Sequence, residues 1–117
     1  MKILKAFNIQ IWCGLKETYD DENIHIIDDV RNIVDIYVNS IMDCVTITPT
    51  EFRYVGGSEP GVIVGWIQYP RFPREEKEIE MRSINLAKSL MYGLNQCRIT
   101  ITTPKHSIML ENKEVKG

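Results

Sequence analysis

The chain is poor in the residues that most recognisable chemistries need. Of 117 residues only three are cysteine, Cys13, Cys44 and Cys97, an odd and widely spaced set with no C-x-x-C pair. That spacing disfavours zinc ribbons and redox dithiols, and three reduced thiols acting as small hydrophobes are expected. The two histidines, His25 and His106, lack local ligand spacing, so neither a metal nor a cofactor is expected. No G-x-S-x-G elbow is present, and no catalytic residue can be named from a motif. The glycine-rich stretch 56–61 has no following Lys; it is not a phosphate loop and reads as a hairpin turn. No apolar run approaches the roughly 18 residues of a membrane helix. The first apolar stretch is broken by Lys5 and Asn8, unlike a signal peptide. A cytoplasmic protein with no membrane partner is expected. The formal net charge of −2 argues against a nucleic-acid polymer as partner.

What is present is an ordinary globular composition, 44% hydrophobic and 26% charged, in a length that suits one core. A single domain over residues 1–110 is expected, followed by a charged tail over 111–117. Residues 3–15 alternate like a strand, and the acidic run 16–23 reads as a loop that caps the next helix through Asp20, Asp21 or Asn23. The acids Asp20, Asp21 and Glu22 suit a helix N-terminus better than a metal site. Ile27, Val30, Val34, Tyr37 and Ile41 have helical spacing. Residues 44–55 and 62–69 read as a hairpin around the 56–61 turn, with Pro49 marking a strand end, an edge or a bulge. Pro73 and the glutamates 75, 76 and 78 open a second helix, whose stripe runs from Ile79 to Leu94. Arg98 to Thr103 alternates again, and 107–110 is an extra C-terminal strand.

The order strand, helix, strand, strand, helix, strand predicts an α+β two-layer sandwich. Its form is a ferredoxin-like βαββαβ antiparallel sheet with two helices on one face. The other face is left bare. On it the alternation places Asn8, Gln10 and Trp12, then Thr46 and Thr48, then Trp66 and Gln68, then Arg98, Thr100 and Thr102. Gly65 is expected on the opposite side, where it admits a helix. Arg71, Phe72 and Arg74 stand at the start of the second helix, where guanidinium forks and the helix dipole suit an anion. The expected ligand-binding set is Gln10, Trp12, Trp66, Gln68, Arg71, Phe72, Arg74 and Arg98. In it the rings stack, arginines meet negative charge and glutamines read polar edges. Two Trp on a bare face also predict a homo-oligomer, a dimer above all.

Residues 51–73, EFRYVGGSEPGVIVGWIQYPRFP, resemble small accessory proteins of tailed phages and prophages. The resemblance transfers no functional residue. It implies a protein that binds a host protein or sequesters a small signalling molecule. The expected function is therefore a non-catalytic binder of a small anionic, nucleotide-like ligand or of a host protein. The alternatives are a small-molecule enzyme with its active site at a subunit interface, and a purely structural or assembly protein.

Overall fold

The computed structural model describes residues 1–17 and 20–114, the side chains of Asp20 and Asp21 excepted. The expected capping or metal roles of those two side chains, and the end of the charged tail at 115–117, lie outside the described residues. In chain order the elements are β1 (Ile9–Gly14), β2 (Lys16–Glu17), β3 (Asp20–Ile24), α1 (Ile27–Ile41), β4 (Thr46–Tyr54), β5 (Gly57–Trp66), α2 (Glu76–Gly93), β6 (Arg98–Thr102) and β7 (Ser107–Glu111). Five strands form one antiparallel sheet in the order β4-β5-β1-β6-β7. With β7 set aside, this is the expected ferredoxin-like order, and β7 is the expected extra strand. β2 and β3 pair separately, so the acidic segment forms a small hairpin where a loop was expected.

Both helices lie on one face of the large sheet. α2 packs on β1 and β6, and α1 packs on α2. The core between the layers takes alternate residues: Ile9, Ile11 and Cys13 from β1, Val62, Val64 and Trp66 from β5, Ile99 and Ile101 from β6. Ile79, Leu86 and Leu90 meet them from α2 and Val30 and Val34 from α1. Truncating a fully buried leucine such as Leu86 to Ala costs about 2–5 kcal/mol by lost transfer energy and the cavity left. Burial pushes the Cys13 thiol up to about 12, so it behaves as a core hydrophobe.

The main correction concerns β5. Trp66 stands opposite Ile9 and Val64 opposite Ile11, which puts Trp66 on the core side, 1% exposed. Gly65 stands opposite Gln10 and therefore lies on the open face. The expected phase of this strand is off by one residue, and a one-residue slip exchanges the two faces. Trp12 and Trp66 lie on opposite faces of the sheet.

Local chemistry explains the element ends. The Ile26 N–H donates to Asp29 Oδ2 at 3.0 Å, so an acid inside the first turn caps α1 from its own side. At the other end Met42 adopts φ 59°, and its N–H and that of Asp43 both donate to Val38 O. Pro49 sits in β4, an edge strand, where a missing N–H costs no ladder bond. Gly56 has φ +86° at the turn between β4 and β5, the left-handed value that glycine accepts without strain.

Candidate functional site

The open face carries a hollow of about 470 Å3 at the end of β1. Gly14 on β1 lines it, and its register partner Gly61 on β5 lies beneath the Phe52 ring. A side chain at Gly61 would collide with the Phe52 ring. One at Gly14 would lie 3.0 Å from Gln96 Oε1 and 3.4 Å from Glu59 Oε1. The missing side chains thus admit an aromatic ring, a carboxylate and an amide over bare backbone. Phe52 and Glu59 face each other across β4 and β5, the two arms of the long hairpin.

Trp12, Glu17 and Arg98 complete the wall. The indole of Trp12 is fixed by its Nε1–H, which donates to Thr102 Oγ1 on β6 at 2.9 Å. Gln96 is buried, and its Nε2 donates to Lys16 O at 3.0 Å and Leu94 O at 3.1 Å. Its oxygen is thereby aimed over Gly14. Glu17 accepts a 2.6 Å bond from Asn95 Nδ2. Rings, carboxylates and cations therefore converge on one concavity, in the size range of small-molecule sites.

A second hollow, about 600 Å3, opens between the end of α1 and the start of α2, lined by Cys44, Tyr69, Phe72 and Arg74 among others. Its floor is Asp43, whose side chain is 2% exposed. Oδ1 accepts from Arg74 Nη1 at 2.6 Å and from the Cys44 N–H at 2.8 Å. Oδ2 accepts from Tyr37 OH at 2.8 Å and Trp66 Nε1 at 2.9 Å, and Arg82 lies 3.5 Å away. Burial alone would raise the Asp43 pKa. The hydrogen bonds from Trp66, Cys44, Tyr37 and Arg74 outweigh it and hold the carboxyl below the usual range. Burial, with the bond to Asp43, pushes the Tyr37 phenol up.

The expected eight-residue set is thus divided. Trp12 and Arg98 line the first hollow. Gln10 is on the same face, opposite Gly65 and Thr102, outside the lining. Trp66 is in the core. Gln68 is taken up by the backbone of Arg74, donating to its carbonyl at 2.6 Å and accepting from its N–H at 2.9 Å. Arg74 turns inward to Asp43, and Arg71 lies over the Phe72 ring at 5.2 Å. The two arginines of the expected anion site therefore face different partners. Sequence reasoning missed Glu17, Phe52, Glu59, Gln96 and Asp43. Phe52 was within reach, because it follows Thr46, Thr48 and Thr50 at a spacing of two on the open face. Among the described residues no three His, Cys, Asp or Glu side chains are grouped to hold a metal, and no helix is long and apolar enough to cross a membrane.

No protein-family model matches the chain, and no curated protein does. Two solved structures share its fold. A phage SAM lyase in complex with S-methyl-5'-thioadenosine is 13% identical, with a TM-score of 0.78 over 95% of this chain and 93% of that one. A phage SAM lyase in the apo state is 14% identical, with a TM-score of 0.78 over 94% of this chain and 92% of that one. At this identity the likeness is one of fold. Both neighbours are phage proteins, which fits the phage affiliation expected from residues 51–73. The expected non-catalytic binder is corrected here: the fold's neighbours are enzymes, and the small-molecule enzyme, held above as an alternative, agrees with them better.

Proposed function

We propose that the chain is a small-molecule lyase that acts on S-adenosylmethionine, or a close sulfonium nucleoside, in the hollow lined by Gly14, Trp12 and Phe52. One observation carries this reading. On a fold shared almost end to end with a phage SAM lyase, the open face has a concavity with two aromatic rings, two carboxylates and a guanidinium around bare backbone. Such a substrate presents a flat purine, a permanent positive charge on sulfur and an amino-acid carboxylate. Trp12 and Phe52 offer faces for the purine, Glu17 and Glu59 offset the sulfonium, and Arg98 meets the carboxylate. A lyase breaks the C–S bond without water, and the bonding pair leaves on sulfur as a neutral thioether. When a neighbouring C–H supplies the electrons for the new bond, its proton needs a base. We assign that role to Glu59, whose carboxylate lies beside Gly14.

The protein is further proposed to work as a homo-oligomer in the cytoplasm of an infected cell. The support is the partly open face itself, with Trp12 on it and Met109 56% exposed beside it.

The test is incubation of the purified protein with S-adenosylmethionine and chromatographic detection of S-methyl-5'-thioadenosine. Glu59→Gln is expected to lower kcat by about 10²–10⁴-fold while thioadenosine affinity stays within about twofold. Phe52→Ala is expected to weaken that affinity by about tenfold, the loss of one stacked ring. Absence of both turnover and binding in the parent protein would sink the reading.

A further inference from the structure

Gln96 carries an acceptor that the chain itself leaves unused. The residue is 6% exposed and lines the hollow beside Gly14. Both hydrogens of its amide are consumed by backbone, Nε2 donating to Lys16 O at 3.0 Å and to Leu94 O at 3.1 Å. Among the described residues no N–H or O–H donates to Oε1. Turning the amide over would set Oε1 against those two carbonyl oxygens, so its orientation is fixed by its surroundings. A side chain at Gly14 would press on Oε1; the bare glycine keeps the space in front of it open. A buried acceptor without a donor is costly, and here it faces a cavity.

The kind of group that fits is narrow. Oε1 is neutral and, so held, can only accept. A sulfonium and a carboxylate have no N–H or O–H to give. An ammonium is better served by the charged oxygens of Glu17 and Glu59 in the same hollow. Ribose hydroxyls donate and accept alike, so they gain little from a fixed polarity. The 6-amino group of adenine is neutral and donates in the plane of the ring. Trp12 and Phe52, which offer faces to the purine, line the same hollow as Gln96, and a ring stacked there presents its edge to the wall.

We propose that Gln96 is a specificity-determining residue whose Oε1 accepts a hydrogen bond from the 6-amino group of the nucleoside and so selects a 6-aminopurine over a 6-oxopurine. The inference rests on the function proposed above. A purine with hydrogen at position 6 leaves Oε1 unpaired. A 6-oxo group sets oxygen against oxygen.

The experiment measures affinities by rapid ultrafiltration at neutral pH for S-methyl-5'-thioadenosine and for its counterparts with hydrogen or oxygen in place of the 6-amino group. The parent protein is expected to bind the 6-hydrogen compound about tenfold more weakly, the effect of one buried acceptor left unpaired, and the 6-oxo compound more weakly still. Gln96→Met keeps the length of the side chain without the acceptor, and the three affinities should then agree within about twofold. A merely structural role would lower all three together and leave their ratio unchanged. Urea unfolding checks that this variant folds, since Lys16 O and Leu94 O lose their donor. If it does not fold, Gly14→Ala carries the comparison, because its methyl covers Oε1 and leaves both backbone bonds of Gln96 in place; there too the ratio should collapse. Where neither variant folds, the ratio in the parent decides. Equal affinities in the parent, or an unchanged ratio in a folded variant, would overturn the role of Gln96 and leave the lyase reading standing if turnover is seen. The expected ratios without turnover would uphold Gln96 and remove the lyase. Binding of none of the three, with no turnover, would overturn both.

Discussion

Asp43 joins the end of α1, the start of β4, the last residue of β5, the connector at Arg74 and the body of α2 through one carboxylate. Removing it leaves a nearly buried guanidinium and an indole N–H without an acceptor. Asp43→Ala should therefore cost about 3–5 kcal/mol, the scale for breaking a buried ion pair on one side. Urea unfolding at neutral pH measures this. The folded carboxyl titrates below its unfolded value of about 3.9. Its contribution is therefore present above that pH and is lost as pH falls through the lower folded value. Asp43→Asn should flatten the loss of stability between about pH 5 and pH 2; an unchanged acid limb would place the sensitivity on other carboxylates. None of this was legible in the sequence, because Asp43 follows the last helical residues like any surface acid. Its role appears only once Trp66, 23 positions on, is known to point inward. That orientation was itself illegible: the run Val62-Ile63-Val64 is apolar on both faces, so alternation could not set the phase, and Trp66 was assigned to the wrong side.

Among the elements, the helices were the most legible, since apolar residues at helical spacing need only one partner surface to become a buried stripe. α1 also carries a correctable flaw. Met42 holds a left-handed φ of 59° while the residue is 88% exposed, so the conformation serves the chain's turn into Asp43. Met42→Gly should raise stability by about 0.5–1 kcal/mol, read from the thermal midpoint, by relieving that backbone cost. A loss of stability would show that the methionine packs more than its exposure indicates. The β2–β3 hairpin was the least legible element. Its strand β3 is acidic and poor in β-branched residues, and its pairing with β2 shifts register between Lys16 and Glu17. Strand propensity depends on neighbours more than on composition, and the neighbour here is two residues long. Because that hairpin holds Glu17, the same local obscurity hid one wall of the candidate site.

For the molecule as a whole, strand and helix order sufficed to predict the α+β sandwich, because two amphipathic helices and an alternating sheet have few ways to bury their apolar sides together. The site was not predictable in that way. It is made by absent side chains at Gly14 and Gly61, which meet only in the correct register, and by Gln96 and Glu17 arriving from segments with no motif. The division of the two tryptophans, one on each side of the sheet, has an optical consequence. Trp66 is sealed in the core beside Tyr37, with ring centroids 6.3 Å apart, whereas Trp12 lines the hollow. The protein therefore carries two internal lamps that report different events. A purine stacking in the hollow should quench Trp12 and leave Trp66 emitting. Unfolding should shift Trp66 to the red, because its indole then meets water. In Trp12→Phe the ligand signal should vanish and the unfolding signal persist. Titration with S-methyl-5'-thioadenosine, followed by urea, reads both in one cuvette, and a ligand signal that survives in Trp12→Phe would place the occupant elsewhere.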